Sequence, residues 1–116
     1  MTPPEPHAPE ELVALLGAAR TVAVGHGRDA ASTAAAKAFV QAWEASGGEV
    51  LAVVSWPERA ASWLRQARRL TERAPDAWVV AGAEPGWTRM SRRLRESTDW
   101  DPERTFGLAR SAQATE

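Results

Sequence analysis

Residues 21–54 read TVAVGHGRDAASTAAAKAFVQAWEASGGEVLAVV, and this stretch decides the fold. Thr21–Gly25 (TVAVG) is a compact apolar run closed by Gly25 and Gly27, which suits a strand buried on both faces. Ala31, Ala35, Ala38, Phe39, Ala42 and Trp43 follow at spacings of three and four. They form the inner face of a helix over about 30–46, with Gly47-Gly48 as its stop. Val50–Val54 is a second buried strand. Strand, helix and strand of these lengths imply a βαβ unit, hence a parallel sheet.

Outward from this unit the alternation continues. Ser55–Ala60, with Pro57, reads as a loop. Ser62 is a natural N-cap for a helix through about Arg73 that buries Trp63, Leu64, Ala67 and Leu70. Pro75-Asp76 breaks it, and Ala77–Ala81 (AWVVA) is a third strand. Gly82–Gly86 is a turn-rich loop. Trp87, Met90 and Leu94 mark the inner face of a further helix, and Thr105–Leu108 is a fourth, shorter strand. Towards the N-terminus, a short helix runs from Pro9 or Glu10 to Leu16, with Pro at its first turn and Gly17 ending it. Residues 1–9 carry four Pro and read as a disordered, extended tail, and 109–116 as a second tail. The expected fold is a three-layer α/β/α sandwich over residues 10–108 with a small parallel sheet of order 2-1-3-4.

Composition excludes several classes of function. One domain is the expectation for 116 residues, and 44% hydrophobic with 25% charged residues is an ordinary globular balance. A net charge of -1 argues against nucleic acid as a partner. The absence of Cys removes disulfides, thiolate catalysis and zinc-thiolate sites. No apolar run is long enough for a membrane span. Leu12–Ala19 follows Glu5, Glu10 and Glu11 rather than a basic segment, so it does not read as an export signal, and the chain as written reads as cytoplasmic. Thirteen Arg stand against one Lys, Lys37. Those on the third and fourth helices (Arg65, Arg68, Arg69, Arg73; Arg89, Arg92, Arg93, Arg95) read first as a solvated surface.

In an open sheet of this order, ligands bind at the crevice where the strand order reverses. The segments that matter are therefore Gly25–Ser32, Gly82–Gly86 and Ser55–Ser62. Gly25-His26-Gly27 invites a nucleotide-binding reading, but Glu49 begins the next strand where the dinucleotide fingerprint wants an acid at its end. No GxxxxGK[ST] occurs, and the acids and Lys of a phosphoacceptor receiver are missing. His26, oriented by Asp29, has the chemistry of a general base; the simpler account has it packing or hydrogen-bonding at a strand end. Asp29 serves equally well as the cap of the following helix. Asp29 and Glu84 are the acids of the two switch-point loops, too few to hold a metal. Trp43, Trp63, Trp78 and Trp87 fall on packing positions. Trp56, before Pro57, is the aromatic kept for ligand stacking or an interface.

At TVAVGHGRDAASTAAAKAFVQAWEASGGEVLAVVSWP, AASWLRQARRLTERAPDAWVVAG and GWTRMSRRLRE before RTFG, the chain resembles the type I periplasmic-binding-protein family, the solute receptors of amino-acid ABC transporters. The resemblance covers about residues 19–108 and is to the first half of the C-terminal lobe of the branched-chain amino-acid-binding receptors. It implies non-catalytic capture of a small molecule between two lobes, with no cofactor. By position, Ala31 and Ser32 fall where family members place an aromatic and a Gly beside the ligand, and Ala83 and Glu84 where another aromatic sits. Those aromatics are absent, and the chain has no Tyr. The binding candidates are thus Arg28, Asp29, Ser32, Trp56, Ala83 and Glu84. An amino-acid zwitterion would meet Arg28, Asp29, Ser32 or Glu84. One lobe is one wall of a cleft, so a second lobe or a homodimer is implied. The edge after Thr105–Leu108 is expected to be open to pairing. Two other classes stand beside this one: a nucleotide- or flavin-dependent enzyme using Gly25–Arg28 as an anion loop, and an interaction module using a sheet edge or the Arg-rich helices.

Overall fold

The computed structural model describes residues 5–109 apart from 58, 61 and 83. The strands are β1 (Pro6–His7), β2 (Thr21–Gly27), β3 (Glu49–Trp56), β4 (Ala77–Ala81) and β5 (Thr105–Leu108). All four strand pairings are parallel, in the order β1-β5-β4-β2-β3. The helices are α1 (Pro9–Leu15), α2 (Ala30–Ala45), α3 (Leu64–Thr71) and α4 (Glu84–Ser97), with a 3-10 turn at Pro102–Arg104. The expected α/β architecture with a parallel sheet is what the chain forms.

β2 and β4 are apolar on both sides because helices cover both sides. Val22, Val24 and Val79 pack with Leu12, Phe39 and Trp43 of α1 and α2. Ala23, Trp78 and Val80 pack with Ala67, Leu70, Met90 and Leu94 of α3 and α4. The inner face of α2 holds Ala36 and Ser32 rather than Ala38, which is exposed.

The four expected strands keep their relative order, but the sheet has a fifth. Pro6 lies opposite Gly107 and His7 opposite Leu108, and the Ala109 N–H donates to the His7 carbonyl at 2.7 Å. This corrects two expectations: residues 6–7 are strand rather than tail, and the outer edge of β5 is partly covered. Two residues with a Pro are invisible as a strand in sequence, because only the partner edge makes them one. Both remaining tails, 1–4 and 110–116, lie outside the described residues.

The strand ends also differ from expectation. β2 runs through His26 and Gly27, β3 runs through Ser55 and Trp56, and Gly27 pairs with Trp56. α4 begins at Glu84 with Pro85 in its first turn, where a loop to Gly86 was expected; Pro is tolerated there because first-turn N–H groups lack helical partners anyway. Ser62 does serve α3, its Oγ accepting from the Leu64 N–H at 3.1 Å, although the helix proper starts at Leu64. In α1 the Glu11 carboxylate reaches back to the Ala8 N–H at 2.9 Å.

Candidate functional site

β2 has β3 on one side and β4 on the other, so the chain order reverses between β2 and β4. The carboxyl ends of these strands, with the start of α2, stand at the position where open α/β sheets place a ligand crevice. Its floor is backbone. A β-carbon at Gly27 would lie 3.7 Å from the Gly82 Cα, and one at Gly82 would lie 3.4 Å from the Gly27 N. The same position on Gly27 is 3.0 Å from Asp29 Oδ1 and 3.7 Å from Ser32 Oγ. Gly27, Asp29, Ser32 and Gly82 therefore meet at one point.

Asp29 caps α2, its Oδ2 accepting from the Ser32 N–H at 3.0 Å. Ser32 is fully buried, and its Oγ has no hydrogen-bond partner among the described residues. A buried hydroxyl left without a partner costs roughly 1–3 kcal/mol, so it marks a place for an acceptor or donor. Arg28 is exposed at the rim and held over β3, its Nε donating to Ser55 Oγ at 3.2 Å. Nothing in the sequence pairs residues 28 and 55; parallel register does, by setting His26 beside Ser55.

His26 takes the simpler of its two readings. Its ring is buried, and Nδ1 donates to the Gly27 carbonyl at 2.6 Å. The expected orienting partner, Asp29, is committed to the helix cap instead. Gly25–Gly27 is strand, with His26 paired to both Ser55 and Ala81. It is not a loop open to a phosphate, which removes the physical basis of the anion-loop reading.

Trp56 is corrected outright. It ends β3, is fully buried, and lies against Gly25 and Gly82, so it presents no face for ligand stacking. Its ring neighbours Trp87 at 6.1 Å, which meets Trp100 edge-on at 5.8 Å. The indole N–H groups of these three have no acceptor among the described residues. Trp56 Nε1 would be 3.7 Å from a β-carbon on Gly82, which puts it behind the crevice wall on the α3 side. Trp43, Trp63, Trp78 and Trp87 are buried, as their spacing predicts. Of the remaining candidates, Ala83 and the side chain of Glu84 lie outside the described residues.

No protein-family model and no curated protein sequence matches the chain. Solved structures do. A putative branched-chain amino acid ABC transporter from Rhodospirillum rubrum superimposes with a TM-score of 0.73 at 23% identity, over 92% of this chain and 31% of that one. A branched chain amino acid ABC transporter periplasmic ligand-binding protein from Burkholderia xenovorans gives 0.71 at 12% identity, over 93% and 30%. A substrate-binding periplasmic protein from Ralstonia solanacearum gives 0.66 at 16%, over 92% and 31%. The chain thus has the fold of one part of these proteins and spans about 30% of the length of the solved structures it matches.

Proposed function

We propose that the chain is one wall of a small-molecule-binding cleft, acting by capture rather than catalysis. The observation that carries this reading is the junction of Gly27, Asp29, Ser32 and Gly82, where a buried Ser32 Oγ lacks a partner among the described residues. The two glycines let the ends of β2 and β4 and the start of α2 come together there. Arg28 and Asp29 put opposite charges at the rim, which suits a zwitterion: carboxylate towards the guanidinium, ammonium towards Asp29. The named activities of the structural neighbours favour an amino-acid-like ligand. Ala83 and Glu84, next after β4 in the sequence, are the remaining residues proposed for the ligand.

A single wall buries too little of a ligand for tight binding, since pockets cover most of a small ligand's surface. A second lobe, or a second copy of the chain, supplies the other wall in this reading. Thermal unfolding with a panel of free amino acids and other small polar metabolites tests it. A ligand present at 100 times its Kd adds about 2.7 kcal/mol of stability. Arg28→Ala should abolish the gain without lowering the unliganded melt, because an exposed arginine contributes little to folding. A flat response across the panel, or a rise with NAD or FMN alone, would contradict the proposal.

A further inference from the structure

The two edges of the sheet are built differently. One edge is β1, two residues long and containing Pro6, which has no N–H to offer a neighbour. The other is β3, eight residues reading EVLAVVSW, with neither Pro nor charge after Glu49. Long uncharged edge strands are uncommon in soluble domains, because their free N–H and C=O groups recruit other strands. Val53 on this edge strand is 44% exposed. Among the described residues, two side chains from outside the sheet bond the β3 backbone: Trp43 Nε1 donates to the Glu49 carbonyl at 3.1 Å, at the strand's start, and Arg73 Nη1 donates to the Leu51 carbonyl at 3.2 Å.

That arginine belongs to a row. α3 packs on β3 through Ala67 and Leu70 against Val54 and Trp56. Arg65, Arg68, Arg69 and Arg73 are exposed on and just after this helix, with Glu72 as the one acid between Leu64 and Arg73. No carboxylate of the described residues forms an ion pair with these four. We infer that β3 and the α3 arginines together form a docking edge for an extended acidic segment of a partner protein. The segment adds as a sixth strand beside β3, main chain to main chain, and its carboxylates face Arg69 and Arg73.

Charge selects this occupant over a second copy of the chain. Two β3 strands pairing antiparallel about a two-fold axis perpendicular to the sheet keep the same face up. Such pairing sets α3 beside α3, and the two arginine rows then repel each other. An acidic strand meets the same row with attraction. This inference uses a different edge from the crevice and stands or falls separately from it.

The test uses three fluorescein-labelled synthetic peptides on the intact chain: alternating glutamate and valine, alternating lysine and valine, and the glutamate peptide N-methylated at every amide, so that neither of its edges can donate. The glutamate peptide should bind saturably, and more weakly as salt is raised. The lysine peptide and the N-methylated peptide should not bind. Arg69→Glu with Arg73→Glu should weaken binding by about tenfold or more while leaving the circular dichroism spectrum unchanged. If that double variant fails to fold, amide shifts of the native chain decide the matter: the peptide should move Leu51, Val53 and Ser55. Equal binding of the peptides, no binding of the glutamate peptide, shifts centred away from β3, or a β3-mediated dimer without peptide would each overturn the inference.

Discussion

Gly25 has no side chain because Trp56 occupies the space where one would be. A β-carbon there would sit 2.5 Å from the indole Cζ3 and 3.4 Å from Leu70 Cδ1. Gly25→Ala should therefore destabilise the fold by about 1–3 kcal/mol, the usual cost of overpacking a core, read from urea denaturation. Gly17→Ala is the control. Its nearest neighbour would be the Ala14 carbonyl at 3.4 Å, an ordinary contact, so its change should be far smaller. Asp76 offers a different prediction at this scale. Its Oδ2 accepts from the Arg20 N–H at 2.8 Å and the Thr21 N–H at 3.1 Å. Those backbone donors, Arg20 first, hold its carboxyl below the usual carboxylate range. A carboxylate with a lowered folded-state pKa stabilises the protein above its unfolded value near 3.9, and this is lost as pH falls through the folded value. Asp76→Asn should thus lower stability at neutral pH and reduce the loss of stability below about pH 4. Equal acid sensitivity in both proteins would contradict the assignment.

At the scale of elements, the middle of each strand was legible and its ends were not. Thr21–Gly25, Val50–Val54 and Ala77–Ala81 are apolar because helices cover both their faces, and that pattern is written locally. His26, Gly27, Ser55 and Trp56 extend two of these strands by pairing with each other across β2 and β3, which depends on register rather than residue type. β1 is the extreme case, a strand by virtue of β5 alone. Deleting residues 1–8 should remove protection from hydrogen exchange at the Ala109 amide, whose acceptor is the His7 carbonyl. Protection unchanged by the deletion would mean that the pairing contributes nothing. The site followed the same division. Asp29 and Ser32 could be picked out as helix-start residues, and they are. Trp56 misled, because whether an aromatic before a Pro faces solvent is decided by the empty space at Gly25, thirty-one positions earlier in the chain.

At the scale of the whole molecule, α1 and α2 pack on one face of the sheet and α3 and α4 on the other, and the chain order reverses between β2 and β4. Arg28, Asp29, Ser32 and the two facing glycines lie together at that reversal, whereas the long β3 edge lies to its side. The central claim is that a small amino-acid-like ligand enters at this reversal. It is tested most directly by an amide-resolved NMR titration of the labelled chain with L-leucine and a panel of other amino acids. The account predicts saturable shifts for at least one ligand, concentrated at Gly27, Arg28, Ser32 and Gly82 and lost in Arg28→Ala. Shifts centred elsewhere, or none for any ligand of the panel, would contradict it.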